Sequence, residues 1–445
     1  MGHYVPHTDE EIAAMLDFVG LDSLEDLFST VPEALRLASG SLKLADGVSE
    51  ADALAEVDRL ARRNRACGPD LVCFAGGGSY DHEIPSVVPR LAFRSEFVTA
   101  YTPYQPEVSQ GVLQALFEYQ TMLTRLAGVE IANASLYDGA TACVEAVNLA
   151  VAATGNSRVL LSTGVHPTWR DTLATYAAGT GHDLVDVPLI DGLTAWAEGE
   201  SAGALLVQYP NHLGCLEDLD AARAAADAAG ALLLVAFDPV ASGLLRSPGS
   251  AGADVVVGEG QPFGTPMSFG GPYLGLFACR QEHVRRLPGR LVGETVDVDG
   301  TRSYVTTLRT REQDIRREKA SSNVCTNQTL IAVACAVQLG WLGTAGLREM
   351  ALRCARGTRY ARESLLAIDG VEAVASGPTF REFAIRTPLG AEEIVERMAD
   401  EGYLAGVPLR AEYGAGDNGL VVAVTEKRTK AEIDGFTAAF GKVLG

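Results

Sequence analysis

Four short apolar runs, separated by enough chain for a helix between each pair, limit this sequence to very few architectures. They are RVLLS at Arg158–Ser162, ALLVQY at Ala204–Tyr209, GALLLVAF at residues 230–237 and DVVVG at residues 254–258. Each is too short for a typical helix and too continuously apolar for a strand with one wet face. Each therefore reads as a strand buried on both sides, in a mainly parallel sheet wrapped by helices. The mostly apolar run at residues 273–279 reads as one further strand. Such sheets collect their ligands beyond the carboxyl ends of the strands. That points to Asp238 and to the loop Glu259-Gly260-Gln261-Pro262-Phe263-Gly264-Thr265-Pro266.

The flanks differ from this middle. Thr8-Asp9-Glu10-Glu11 is a capping box that starts a helix with Ile12, Met15, Leu16 and Val19 on one side, and a second helix begins at Ser23. No strand pattern accompanies them, so residues 1–68 form a helical arm. After Asn327 the pattern becomes a long apolar helix, strands near residues 383–385 and 420–424, and helices at 391–401 and 430–443. A chain of 445 residues is too long for one hydrophobic core. The expected division is arm, large α/β domain (69–326) and smaller α+β domain (327–445). There is no internal repeat and no low-complexity tract.

Charge excludes some partners. The net charge is -21, and only five of the 36 basic residues are lysine. Nucleic acid and anionic membranes require positive stripes, so neither is expected as a partner. The eight cysteines stand singly, with no CxxC pair and no histidine at zinc-finger spacing, so neither a disulfide framework nor a metal site is expected. Most read as small buried hydrophobes; Cys325, within the most family-like stretch, is the candidate exception, with a packed core thiol as the plainer reading. The first residues lack the pattern of a signal peptide, and the apolar segment at 331–337 is too short to span a bilayer. The cytoplasm is the expected compartment.

Several motifs could host chemistry. Gly76-Gly77-Gly78 has neither the lysine of a P-loop nor the spacing of a dinucleotide loop, and reads as a flexible turn. Tyr101-Thr102-Pro103-Tyr104-Gln105-Pro106 precedes a helix at 110–126 and combines prolines with phenols, which suits the wall of a site or an interface. His166 could stack on a ring or donate a proton; the plain alternative is a satisfied surface histidine. Arg309, Arg311, Arg316, Arg317 and Lys319 form the densest positive cluster, which either meets an anion or is a solvated helix steadied by Glu312 with Arg316.

Longer strings carry a resemblance: YVPHT at residues 4–8, FAGGGSYDH at 74–82, YTPYQPEVSQG at 101–111, YDGATA at 137–142, nearly all of 287–330, and VTEK at 424–427. Over nearly its whole length the chain resembles the alpha-type subunit 1 of the two-subunit glycine dehydrogenase (decarboxylating), the P-protein family of the glycine cleavage system. The resemblance implies an aminotransferase-like fold of the kind that binds pyridoxal phosphate (fold type I). It implies an oxidoreductase complex that decarboxylates glycine and passes the aminomethyl group to the lipoyl arm of the H protein.

That chemistry needs a lysine to hold the cofactor's aldehyde and a carboxylate to keep its pyridine nitrogen protonated. Asp238 is the candidate carboxylate, or else a strand-end acid that caps the next turn. Where such a fold presents its lysine this chain has Gln261, and an amide forms no imine. Lys43, Lys319, Lys427, Lys430 and Lys442 all lie in the wrong context. Asp138 to Thr141, before a helical pattern at 144–153, resembles the helix start that binds the cofactor's phosphate; the alternative is ordinary capping by Asp138. The resemblance therefore implies that pyridoxal phosphate is bound covalently by a homologous subunit 2. On this reading Thr141 and Asp238 are vestigial, while Tyr101, Thr102, Tyr104, Gln105 and His166 are candidate contributors to the partner's site. The rival readings are a self-sufficient enzyme using one of the five lysines, and a purely structural scaffold.

Overall fold

A computed structural model describes residues 6–37, 42–100, 103–196, 199 and 201–445. The chain forms two compact units, Met1–Arg65 and Ala66–Gly445.

In the first unit, helix α1 (Asp9–Val19) begins at the expected capping box, in which Thr8 and Glu11 exchange side-chain to backbone hydrogen bonds. A 3-10 turn, Leu24–Phe28 with Ser23 as its N-cap, stands where a second helix was expected. A further helix, α2 (Glu50–Ala61), is capped by Ser49. None of these elements buries a side chain.

The second unit is built on a seven-stranded sheet. Its strands are β1 (Ile131–Ala132), β2 (Arg158–Ser162), β3 (Asp183–Val187), β4 (Ala204–Tyr209), β5 (Leu232–Phe237), β6 (Val255–Glu259) and β7 (Gly275–Cys279). The spatial order is β3-β2-β4-β5-β6-β7-β1. Strands β2 to β6 are mutually parallel, and β7 runs antiparallel to both β6 and β1. Alternate residues enter different cores. Leu205, Val207, Leu233, Val235 and Val256 pack on one face, and Leu206, Leu234, Ala236, Val255 and Val257 on the other. This two-sided burial is why the strands read as unbroken apolar runs. Helix α3 (Gln110–Ala127) packs with the first set and α4 (Gly139–Thr154) with the second.

The helix Thr329–Leu366, α5, has the length and apolar composition of a membrane span, longer than the segment expected to be too short. It is broken at Gly343 (φ 58°, ψ -175°), and much of its apolar stretch is buried within the protein. Beyond it, strands β8 (Glu382–Arg386) and β9 (Gly419–Ala423) lie at the centre of a separate four-stranded antiparallel sheet. Helices α6 (Ala391–Asp400) and α7 (Lys430–Leu444) share its core, where Phe74 stacks on Phe436 with centroids 3.9 Å apart.

Two expectations are corrected here. Cys325 is exposed, because its segment runs along the surface with the Cys325 and Thr326 N–H groups donating to the Tyr137 hydroxyl. The basic cluster is not one solvated helix. It is broken into an α-turn, Gln313–Arg316, flanked by 3-10 turns at Arg309–Arg311 and Arg317–Lys319, and Arg311 turns inward to donate to the carbonyls of Leu287, Leu308 and Gly289.

Candidate functional site

The loops after β2, β5 and β6 carry His166, Asp238 and Gln261 to the carboxyl edge of the sheet, where ligands are expected. Asp238 performs both roles open to a strand-end acid. Its Oδ1 accepts from the Val240 N–H at 2.9 Å and caps the turn, while its Oδ2 forms an ion pair with Arg381 Nε at 2.6 Å. Arg381 enters from the segment just before β8 and is buried, its guanidinium carbon 3.4 Å from the centre of the Tyr80 ring. Burial alone would weaken its hold on the proton, but the surrounding negative groups, Asp238 foremost with Tyr80 and Glu382, together more than restore it.

Arg381 Nη1 also donates to His82 Nε2, and His82 Nδ1 faces Glu426 Oε2 at 2.5 Å. A guanidinium donating to Nε2 needs a lone pair there, which assigns the ring proton to Nδ1, directed at Glu426, and burial lowers the His82 pKa. Burial would raise the Glu426 pKa. Hydrogen bonds from His82 and from the Glu83 N–H outweigh it and hold the value down at about 2. Cys354 completes the cluster, with Sγ 3.6 Å from Glu426. A metal at His82 would have to displace the guanidinium already seated on Nε2.

Glu382, next in the chain, faces the glycine-rich segment. Its Oε1 accepts from the Gly77 N–H at 2.5 Å and its Oε2 from the Tyr80 hydroxyl at 2.7 Å. Gly77 and Gly78 do form a turn, and the segment is also a close approach. A Cβ on Gly76 would sit 2.3 Å from Glu382 Oε1 and 2.5 Å from the Ala423 Cβ, and Gly77 and Gly78 have φ of +66° and +105°.

Gln261 is 1% exposed and fully engaged. Its carbonyl accepts from the Tyr80 N–H at 3.1 Å, and its amide nitrogen donates to the Tyr80 carbonyl at 3.2 Å and the Thr265 carbonyl at 2.7 Å. A lysine could not do this, since an ammonium only donates. Two residues earlier, Glu259 Oε2 accepts from the Gly139 N–H at 2.9 Å, at the start of α4. Its Oε1 accepts from the N–H groups of Gln261 and Leu274, both at 2.9 Å. Burial raises its pKa to about 7 against the lowering effect of those donors. Asp138 caps the same helix through Thr141 N–H at 2.8 Å, so the capping alternative holds for Asp138.

His166 caps the helix Pro167–Thr180. Its Nδ1 accepts from Thr168, which leaves the Nε2 proton for the Gly77 carbonyl at 2.5 Å. His166 lines two neighbouring cavities, one shared with Asp238 and one with Thr141, while Gln261 is buried and lines neither. Tyr104 and Gln105 line a separate one, and Tyr101 and Thr102 lie outside the described residues. Sequence reasoning gave no role to Arg381, Glu382, Tyr80, His82, Glu259 or Glu426. All but the first two stood inside quoted motifs, and an Arg-Glu pair leading into an apolar strand was the remaining signal.

Residues 2–440 match the family model for the glycine cleavage system P-protein. The chain belongs to the glycine cleavage P-protein family. It is 44% identical over 445 residues to a probable glycine dehydrogenase (decarboxylating) subunit 1 of Desulforamulus reducens, and 46% identical over 446 residues to that of Moorella thermoacetica. The alignments cover 99% of each chain. A crystal structure of glycine decarboxylase (P-protein) in inhibitor-bound form superposes with a TM-score of 0.94, at 46% identity over the whole of both chains. A NifS-like protein, 11% identical with a TM-score of 0.62 over 84% of this chain, shares the fold. The role of this P-protein family member therefore lies in glycine cleavage, as a subunit of an enzyme classed as an oxidoreductase.

The family fold implies pyridoxal phosphate, and this chain's residues do not fit it. At the position expected for the lysine stands the amide Gln261, the candidate pyridinium partner Asp238 is already paired with Arg381, and the helix start expected to take a phosphate holds the Glu259 carboxylate. The cavity beside Asp238 measures about 40 Å³ and shares His166, Trp169 and Glu259 with one of about 630 Å³ that reaches Asp138 and Thr141. None of the five lysines lines it. Lys427, Lys430 and Lys442 are paired with Asp81, Asp434 and Glu401.

Proposed function

We propose that this chain is the cofactor-free half of a two-subunit glycine decarboxylase, and that a homologous lysine-bearing subunit holds the pyridoxal phosphate covalently. The observation that carries this reading is the Gln261 carboxamide, closed on Tyr80 and Thr265 where an imine-forming amine is required. With Arg381 on Asp238 and Glu259 on the α4 start, each anchor point is taken by the chain's own side chains.

In the assigned complex, glycine loses carbon dioxide and the aminomethyl group passes to the lipoyl arm of the H protein. This chain supplies walls and polar contacts to the partner's site. Tyr104 and Gln105 are the described candidates for that role, and Tyr101 and Thr102 are their neighbours in sequence. His166 is a weaker candidate, since both its nitrogens are engaged inside this chain. The cytoplasm is the compartment proposed, supported by eight free thiols.

The test is reconstitution. The chain alone should release no carbon dioxide from glycine, whereas the chain with the lysine-bearing subunit and H protein should. Release by the isolated chain would overturn the assignment. A scaffold reading would be favoured instead if Tyr104→Ala left the assembled complex fully active.

A further inference from the structure

The cleft around Tyr104 carries an unbalanced charge. Arg290 is 5% exposed, and its guanidinium is held by neutral acceptors. Nη1 donates to Asn327 Oδ1 at 3.0 Å, and Nη2 donates to the Tyr104 hydroxyl at 3.1 Å and the Cys325 carbonyl at 3.2 Å. The guanidinium carbon also lies 5.1 Å from the centre of the Tyr104 ring, and that of Arg309 lies 5.5 Å from it.

Among the described residues no carboxylate forms an ion pair with Arg290. Elsewhere, arginines that are shielded from water have one: Arg381 with Asp238, Arg223 with Asp254, and Arg428 with Asp81. Arg311 and the part-buried Arg362 are further exceptions, and both donate to carbonyls. Arg309 is already paired with Asp314, and Glu96 at the cleft edge with Arg94. Glu312 feels the Arg290 charge from beyond ion-pair range, and burial raises its pKa, which weakens it as a counter-ion. A buried cation without a counter-charge is costly, and in a chain of net charge -21 its isolation calls for a ligand. The cleft is open, with a volume of about 840 Å³, and Thr99, Gln105, Ser109 and Thr326 line it beside Tyr104 and Arg290.

We infer that the Tyr104–Arg290 cleft is a binding site for a small oxyanion, with the guanidinium supplying the charge and the phenol and hydroxyls the additional hydrogen bonds. The inference rests on the reading that this chain completes the partner's active site. Two oxyanions belong there: the carboxylate of glycine and the phosphate of the cofactor.

The experiment uses the co-expressed complex with Arg290→Gln, Arg290→Lys and Tyr104→Phe, with assembly checked by gel filtration. Losing a charge-assisted hydrogen bond predicts a roughly ten- to a hundredfold change for R290Q. A rise of that size in the glycine KM at unchanged cofactor affinity identifies the carboxylate. The same rise in the cofactor Kd at unchanged KM identifies the phosphate. If R290Q does not assemble, R290K and Y104F must each move one of these parameters several-fold. Assembled variants that stay within about twofold of wild type in both overturn the site. If the wild-type complex releases no carbon dioxide, the functional reading falls by itself. The cleft is then judged by calorimetry on the full chain with inorganic phosphate and glycine as probes. Binding that is lost in R290Q upholds it, and no binding of either probe overturns it.

Discussion

Asp238 and Arg381 meet at 2.6 Å at the carboxyl end of the central strand β5, so the acid best placed to engage a cofactor's pyridine nitrogen is already neutralised by its own chain. The pair joins the large sheet to the segment entering β8, and it stands at the head of a buried relay from Arg381 through His82 to Glu426.

Removing the cation should be severe. Arg381→Leu leaves Asp238 without its counter-charge and strips the contact from the Tyr80 ring. The expected loss is about 3–5 kcal/mol of unfolding free energy. Urea denaturation of the full chain checks it, and a change below about 1 kcal/mol would show the pair to be structurally minor.

Restoring the lysine should not restore the cofactor. Gln261→Lys leaves the buried Tyr80 N–H without its acceptor, at a cost of about 1–3 kcal/mol. Arg381 and Glu259 still occupy the other two anchor points. The isolated Q261K chain incubated with pyridoxal phosphate should show no internal-aldimine absorbance.

Acid should weaken the protein through Glu426. Its folded pKa of about 2 lies below the ordinary 4.5, so its contribution is fully present above pH 4.5 and is lost as pH falls from there towards 2. A depression from 4.5 to about 2, at 1.36 kcal/mol per unit, corresponds to about 3 kcal/mol. Glu259 acts in the opposite sense. Its pKa of about 7 is raised, so its ionisation lowers stability as pH climbs from 4.5 to 7. Unfolding free energies of wild type and E426Q from pH 3 to 8 test this, and E426Q should show the shallower acid limb.

Close packing of the glycine segment makes Gly76→Ala disruptive. The added methyl has no space between Glu382, Ala423 and Tyr80, and overpacking of this kind costs about 1–3 kcal/mol. A thermal melt that matches wild type would mean that Glu382 can withdraw freely.

The central sheet was legible where both faces are buried. Ala204–Tyr209 was legible because its first four residues are apolar and buried on both faces, and capping residues likewise fixed the start of α1. The edge strand β3, with aspartates at Asp183 and Asp186, gave no such run, and neither did the polar hairpin Leu291–Val296 with Arg302–Thr307. At the site an amide at Gln261 was visible, but what it holds was not, because Tyr80 is 181 residues away. Arg381 on Asp238 likewise belongs to tertiary structure, which no local period encodes. Cys325 shows the converse limit, since a thiol within a family-like string carries no local signal of whether it faces core or solvent.

The most direct measurement is borohydride reduction of the co-expressed complex with pyridoxal phosphate, followed by mass spectrometry of both polypeptides. The reduced cofactor should appear on one lysine of the partner chain and on none of Lys43, Lys319, Lys427, Lys430 or Lys442. Stoichiometric labelling of any lysine in this chain would contradict the account.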